Sequence, residues 1–173
     1  MRLSLVTLPD NAQGKGQGGA GGPAMLLATD LLSRLSGQGH EVACVRTVEL
    51  SADEEHAYGG WNRVGAANGH LADLVADARR DGDFVLGLLA DCNALLGMLG
   101  GLARGDDPCW PRRVGLVWID AHGDYNTPET SPSGMLGGMP VAVASGKCLH
   151  ALRLQSGLRV PLQPPDVVMA GLR

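Results

Sequence analysis

Asp120, His122 and Asp124 alternate with single intervening residues just after an apolar run, Val114-Gly115-Leu116-Val117-Trp118-Ile119. Two carboxylates and one imidazole offer two oxygen donors and one nitrogen donor. Such a set suits a divalent first-row metal such as manganese, iron or zinc. In extended backbone the side chains of residues i, i+2 and i+4 point the same way, so the spacing predicts that the three groups converge. A lone Asp-x-His or Asp-x-Asp is also ordinary loop and helix-cap chemistry. The apolar run before Asp120 favours the metal reading, because open α/β sheets place ligands just past the carboxyl ends of their strands.

The elements that must hold these groups follow from hydrophobic periodicity and turn residues. Residues 3–8 read as a strand covered on both faces, stopped by Pro9. A glycine-rich loop follows over 11–22. Within it Gly14, Gly16 and Gly19 match the spacing of a dinucleotide-binding fingerprint. The glycines begin well after the strand, however, and the helix begins only near Pro23, a favoured first helical residue. A phosphate-binding loop fits no better, since Lys15 is followed by Gly16. A surface loop is therefore the preferred reading.

Residues 24–35 form an amphipathic helix with Leu27, Ala28, Leu31, Leu32 and Leu35 on one face. Gly37 and Gly39 end it. A second strand spans 40–48, and 51–60 is an acidic connection. A long helix covers 62–80, with His70 beside its apolar stripe in a structural role. A third strand, 83–89, runs into Ala90-Asp91-Cys92-Asn93 and a short helix carrying Leu95, Met98, Leu99 and Leu102. After a polar connection at 104–113 comes the fourth strand, 114–119, then a long loop at 127–138. A helix begins at 139–145, its continuation through 153 left open. Pro161 to Pro165 break the chain before a fifth strand at 166–171. Strands alternating with helices predict an α/β fold of three layers, α/β/α, with a mainly parallel sheet and right-handed crossovers. The whole chain, 1–173, fits one domain.

Composition narrows the function. Aromatic residues make up only 3% of the chain, so Leu, Val and Ala must fill the core. A net charge of −4 gives no basic footprint for nucleic acid. No apolar run is long enough to cross a membrane, and Pro9 and Asp10 interrupt the first apolar segment too early for a signal peptide. Cys44, Cys92, Cys109 and Cys148 are scattered without a C-x-x-C pair, which fits a reducing cytoplasm.

The run Asp120-Ala121-His122-Gly123-Asp124-Tyr125-Asn126-Thr127-Pro128, with Ser133-Gly134 and Gly138-Met139-Pro140 after it, resembles the arginase family of ureohydrolases. The resemblance extends from the first strand and Gly21-Gly22-Pro23 to the fifth strand. It implies a domain that holds two manganese ions at the carboxyl ends of its strands. There a metal-bridging hydroxide attacks a guanidinium carbon and releases urea. By the resemblance Asp120, His122 and Asp124 are metal ligands, Asp124 also counting as catalytic. Asn126 and Ser133 match positions that bind the substrate's α-carboxylate and its neighbourhood. The implied substrate is a small guanidino compound, arginine or an N-hydroxyarginine-like amino acid rather than agmatine. A homo-oligomer is expected. Read from residue types alone, Asn126 and Ser133 are also ordinary turn residues.

Three departures from the family pattern limit these expectations. Cys92 stands where the family has a histidine as its first metal ligand. As a thiolate ligand it would favour zinc or iron; otherwise it is a buried thiol at a helix start. Gly137 stands where the family carries a histidine credited with proton transfer; Glu129, in the same loop, is either a substitute or a solvent-facing rim residue. No later Asp-x-Asp supplies the second metal cluster, since Asp166 opens a strand rather than ending one. The chain is thus expected to be the N-terminal portion of such a domain, truncated after about five strands. Two functional readings result. One is a metal-dependent amidinohydrolase carrying the first half of the site. The other is a non-catalytic paralogue or remnant that binds metal weakly and acts, if at all, through association.

Overall fold

The computed structural model describes residues 1–11, 18–105 and 111–173. Gly14, Lys15, Gly16 and Cys109 lie outside the described residues. Among the described residues five strands, β1 (Arg2–Leu8), β2 (Glu41–Thr47), β3 (Phe84–Leu89), β4 (Leu116–Ile119) and β5 (Val167–Ala170), alternate with helices. The helices are α1 (Gly22–Leu27), α2 (Leu31–Gly37), α3 (Ala52–Glu55), α4 (Gly60–Arg80), α5 (Leu95–Ala103), α6 (Pro140–Ala144) and α7 (His150–Gln155). Every strand pair is parallel, as the alternation predicts. The strands form two ladders, β2-β1-β3 and β4-β5.

β1 is the centre of the larger ladder. Leu3, Leu5, Val6 and Leu8 are buried, so it is covered on both faces. Its buried Ser4 hydroxyl donates to Asp83, which also receives Arg2, and its buried Thr7 hydroxyl donates to Thr47. Polar atoms in that position are tolerated because they are paired. Helix α4 lays Ala67, Leu71 and Val75 on this ladder, against Val6, Leu8 and Val48. Helix α5 lies against α4 at close range. A Cβ on Gly97 would sit 2.6 Å from the Asn68 carbonyl oxygen, and one on Gly101 2.5 Å from the Val75 Cβ. Only glycine permits that approach. The far side of α5 joins Leu96 and Leu99 to Val141, Val143, Leu152 and Leu158 in the second core cluster, under β4 and β5.

The structure departs from the sequence expectation at several local points. The helix expected at 24–35 is broken in two, with Ala28, Thr29 and Asp30 between α1 and α2. The Thr29 hydroxyl donates to the Leu26 carbonyl at 2.6 Å and accepts from the Leu31 amide, so a side chain competes with the helical ladder. Its expected apolar face is only partly covered, and Ala28 is exposed. The acidic connection contains α3, opened by a reciprocal cap: Ser51 Oγ accepts from the Glu54 amide while Glu54 accepts from the Ser51 amide. His70 packs this cap onto α4 through a 2.9 Å contact with Glu54. β4 begins only at Leu116. The helix begun at 139 stops at Ala144 and restarts at His150, after left-handed turns at Gly146 and Leu149. Gly19 lies in a 3-10 turn, Gly18–Gly21, that leads directly into α1 at Gly22. Among the described residues no helix is long and apolar enough to cross a membrane.

Candidate metal centre

Two strand ends build the centre. Past β3, Asp91 caps a short turn: its carboxylate accepts the Asn93 amide at 2.9 Å and the Asn93 side-chain amide at 3.2 Å. That turn presents Cys92. Past β4, the Asp120 amide still donates to Ala170 of β5, at 3.1 Å. Its carboxylate then folds back to accept the His122 amide at 2.9 Å. Asp124 follows in left-handed backbone, φ 44°, which aspartate tolerates better than most residues. Its carbonyl accepts the Val141 amide in the first turn of α6, and the residue is buried.

Donor atoms of Cys92, Asp120 and Asp124 all lie within 4.8 Å of one another. Three ligands, each about 2.0–2.3 Å from one ion, fit inside such a span. The electrostatics ask for a cation. Burial, then the carboxylates of Asp124, Asp120 and Asp91, push the Cys92 thiol up to about 12. Burial likewise raises Asp124, and Asp120 adds to the shift. Asp124 Oδ2 is buried with no hydrogen-bond partner. A bound divalent ion would satisfy that oxygen, offset the clustered charge and favour the thiolate.

The sequence-predicted residues fare differently. Asp120 and Asp124 converge, and Cys92 joins them. His122 stands apart from the trio: its side chain is 77% exposed, with Nδ1 3.5 Å from Asp120 Oδ1. Asp120, His122 and Asp124 do not share one extended face, because extended backbone stops at Ile119, bends over 120–122 and turns left-handed at Asp124. Cys92, Asp120, His122, Asp124, Asn126 and Ser133 nevertheless all line a single open cleft of about 1140 Å³. Asn126 Oδ1 accepts from the Thr130 hydroxyl, and Ser133 Oγ accepts from the Met135 amide. Both side chains thus serve turns while remaining exposed at the cleft. Gly137 lines it too, and an added Cβ would meet only Met135 Cγ, at 4.0 Å. Glu129, fully exposed and held low by the Thr127 hydroxyl, is not among the lining residues.

Sequence reasoning missed other lining residues, among them Asn11, Gly19, Tyr125 and Arg173. Asn11 follows the end of β1, and the rule that ligands gather at the carboxyl ends of strands could have found it. Gly19 has a packing reason: a Cβ there would stand 2.7 Å from the Ala90 carbonyl oxygen, at the end of β3. The Arg173 amide donates to Ala121, which lays the last residues along the Asp120 turn.

Comparison with known proteins follows the same lines. The family model described as "Arginase family" matches residues 3–172. The arginase of Bacillus subtilis is 32% identical over 174 residues, covering 99% of this chain and 57% of that protein. The crystal structure of arginase from Bacillus caldovelox matches with a TM-score of 0.83 and 32% identity, over 99% of this chain and 58% of that one. That of Entamoeba histolytica arginase in complex with L-ornithine matches with a TM-score of 0.77 and 28% identity, over 99% and 58%. The chain therefore spans less than three fifths of the length of these relatives, as their N-terminal portion.

Proposed function

Because the chain belongs to the arginase family, we propose that its cleft serves metal-dependent hydrolysis of a guanidino compound, with release of urea or a urea derivative. The observation that carries this reading is the convergence of Cys92, Asp120 and Asp124 beside an uncompensated buried carboxylate oxygen. These three residues would hold a divalent ion, with exposed His122 free to turn toward it from the cleft wall. Manganese is the proposed metal, two ions in the complete site; the Cys92 sulfur shifts the preference of this half toward zinc or iron. Bound metal supplies a water of lowered pKa and a Lewis acid for an otherwise resonance-stabilised guanidinium carbon.

The chain's own residues do the rest. The acidic cleft attracts the guanidinium cation, and Asp120 and Asp124 offset positive charge at the reacting end. Asn126 and Ser133 present polar atoms on the opposing loop, where they receive the α-carboxylate of an amino-acid substrate. Arginine or an N-hydroxyarginine-like compound is the proposed substrate class; the L-ornithine bound by the Entamoeba relative supports an amino acid. Gly137 can move no proton, so solvent water in the open cleft must do so. Free thiols at Cys44, Cys92 and Cys148 support a cytoplasmic setting.

A second reading, a non-catalytic relative with weak metal binding, is favoured by one observation: Gly137 leaves the cleft without a side chain at that position. Metal content of this chain by mass spectrometry, with urea release over a panel of arginine, N-hydroxyarginine and agmatine by this chain continued with the C-terminal part of Bacillus subtilis arginase, separates the two. Metal-dependent urea release that prefers the amino acids supports the first reading. Purified protein that takes up no divalent ion at millimolar supply overturns it.

A further inference from the structure

β1 and β3 lie side by side, and their last residues pair Leu8 with Leu89. Past these ends Asp10 and Asn93 line one small internal space, together with Leu8, Val64, Ala67 and Asp91. About 10 Å³ of it is open to the centre of a water molecule, and a polar space of that size holds one. Asp10 is 9% exposed and Asn93 2%. Asp10 Oδ1 and Asn93 Oδ1 are both buried and make no hydrogen bond. Arg63 Nε stands 3.4 Å from Asp10 Oδ1 as an ion pair, also without a hydrogen bond. Asn93 cannot turn over to offer its amide instead. Its Nδ2 donates to Asp91 Oδ2 at 3.2 Å, and a flipped side chain would set oxygen against carboxylate. Asn68, which also lines the space, is spent: its Nδ2 donates to Val64 and its Oδ1 accepts from Gly97.

We propose that one internal water bridges Asp10 Oδ1 and Asn93 Oδ1, and that this bridge fixes the turn presenting Cys92. Two acceptors on one space need a double donor, and water carries two O–H groups. A hard cation fits less well. It gathers about six or more oxygens, whereas two unpartnered ones line this space among the described residues. Arg63 also places a positive charge beside Asp10 already. Asn93 carries the effect to the cleft. Its backbone amide and its side-chain amide both grip the Asp91 carboxylate, and Cys92 stands between the two residues. Held from behind through Asp10, Asn93 keeps Cys92 Sγ within 4.8 Å of the donor atoms of Asp120 and Asp124. Asp10 and Asn93 are thus positioning residues, acting on a metal through the Cys92 turn, as partners behind metal ligands do. This last step rests on the metal reading of the cleft; the bridge itself does not.

The test begins with the metal-free chain in chelator. Nuclear Overhauser cross-peaks at the water frequency should reach the methyl groups of Leu8, Val64 and Ala67, which bear no exchangeable protons, with the sign of a long-lived water. Asp10→Leu and Asn93→Leu should abolish them, with the fold verified by circular dichroism. Asp10→Asn loses the ion pair with Arg63 but keeps an oxygen for the water, so it should retain them. Cobalt then reads the turn, because a Cys92 thiolate on cobalt gives a charge-transfer band. Asp10→Leu and Asn93→Leu should weaken cobalt binding about tenfold or more, and Asp10→Asn should leave it nearly unchanged. Absence of the cross-peaks from the wild-type chain overturns the proposal without recourse to any variant. Methyl resonances that shift when sodium replaces potassium overturn it in favour of a bound cation. Asp10→Asn as damaging as Asp10→Leu overturns it in favour of the Arg63 ion pair. Cobalt binding unmoved by loss of the cross-peaks overturns the positioning role. Cross-peaks in a wild-type chain that shows no cobalt band support the bridge and overturn the metal reading instead.

Discussion

Donor atoms of Cys92 and Asp124 lie within 4.8 Å of each other. After burial, the Asp124 carboxylate is the largest influence that drives the thiol up to about 12, so the metal-free site carries a protonated sulfur. A metal must displace that proton, and binding is then linked to pH. Zinc affinity of the chain should therefore rise with pH between 6.5 and 9. Cys92→His replaces the thiol by a group that is neutral above about pH 6.5, so its affinity should be nearly flat over the upper half of that range. Competition titrations against a chromophoric chelator measure both slopes. An unchanged slope in Cys92→His removes the sulfur from the ligand set.

Burial raises Asp124 above the ordinary carboxylate range. For a group whose folded pKa is raised, the stabilising contribution exists at low pH and is lost as pH rises through the folded value. Ionised Asp124 thus weakens the metal-free fold at neutral pH. Asp124→Asn removes that charge and keeps a residue suited to the left-handed φ of 44°. The metal-free variant should be more stable at pH 7, with the gain vanishing as pH falls below the ordinary carboxylate range. It should also lose divalent-metal uptake. Urea unfolding in chelator at pH 7 and below that range, with metal analysis beside it, checks the pair of effects. Retained metal uptake would count against Asp124 as a ligand.

Much of the fold was legible because it is written in local patterns. The apolar runs at β1, β3 and β4 and the stripe of α4 each declare their period in sequence. The division into two ladders was not, since which strand lies beside which depends on contacts distant in sequence. Asp120 and Asp124 were legible from their place after β4. Cys92 entered only through family resemblance, for no periodicity links the end of β3 to the end of β4. His122 stands outside the converged trio for a definite reason. The carboxylate of Asp120 accepts the His122 amide, which bends the chain out of the extended form that the spacing argument assumes. The break at Thr29 has a similar cause, a hydroxyl competing with backbone.

The cap of α3 gives a prediction away from the cleft. The Ser51 amide and hydroxyl, then His70, hold the Glu54 carboxyl at about 2. For a depressed carboxylate the stabilising contribution is present above the ordinary value and lost as pH falls toward the folded one. Ser51→Ala removes the hydroxyl and keeps the amide. Glu54 should then titrate closer to the ordinary 4.5, still short of it. Carboxyl-carbon NMR titration reads the value directly. A Glu54 titration unmoved by Ser51→Ala would show that the reciprocal cap does not form in solution.

Gly137 offers the most direct test of what the cleft lacks. It lines the cleft, its φ is not left-handed, and a Cβ there meets only Met135 Cγ at 4.0 Å. A larger side chain therefore enters open space without displacing backbone. Histidine at this position would place a group that titrates near neutrality beside the loop of Asn126 and Ser133. General acid–base assistance typically contributes about 10²–10⁴-fold. The 173-residue chain alone should release no measurable urea from arginine, with or without Gly137→His, because it presents too few ligands for a two-metal site. In this chain continued with the C-terminal part of Bacillus subtilis arginase, Gly137→His should raise kcat by about 100-fold and leave metal content and KM nearly unchanged. The kcat profile should gain an ionisation near pH 6.5. A rise in kcat without that ionisation would assign the gain to packing of the loop. No rise would mean that solvent already moves the proton as fast as the reaction requires.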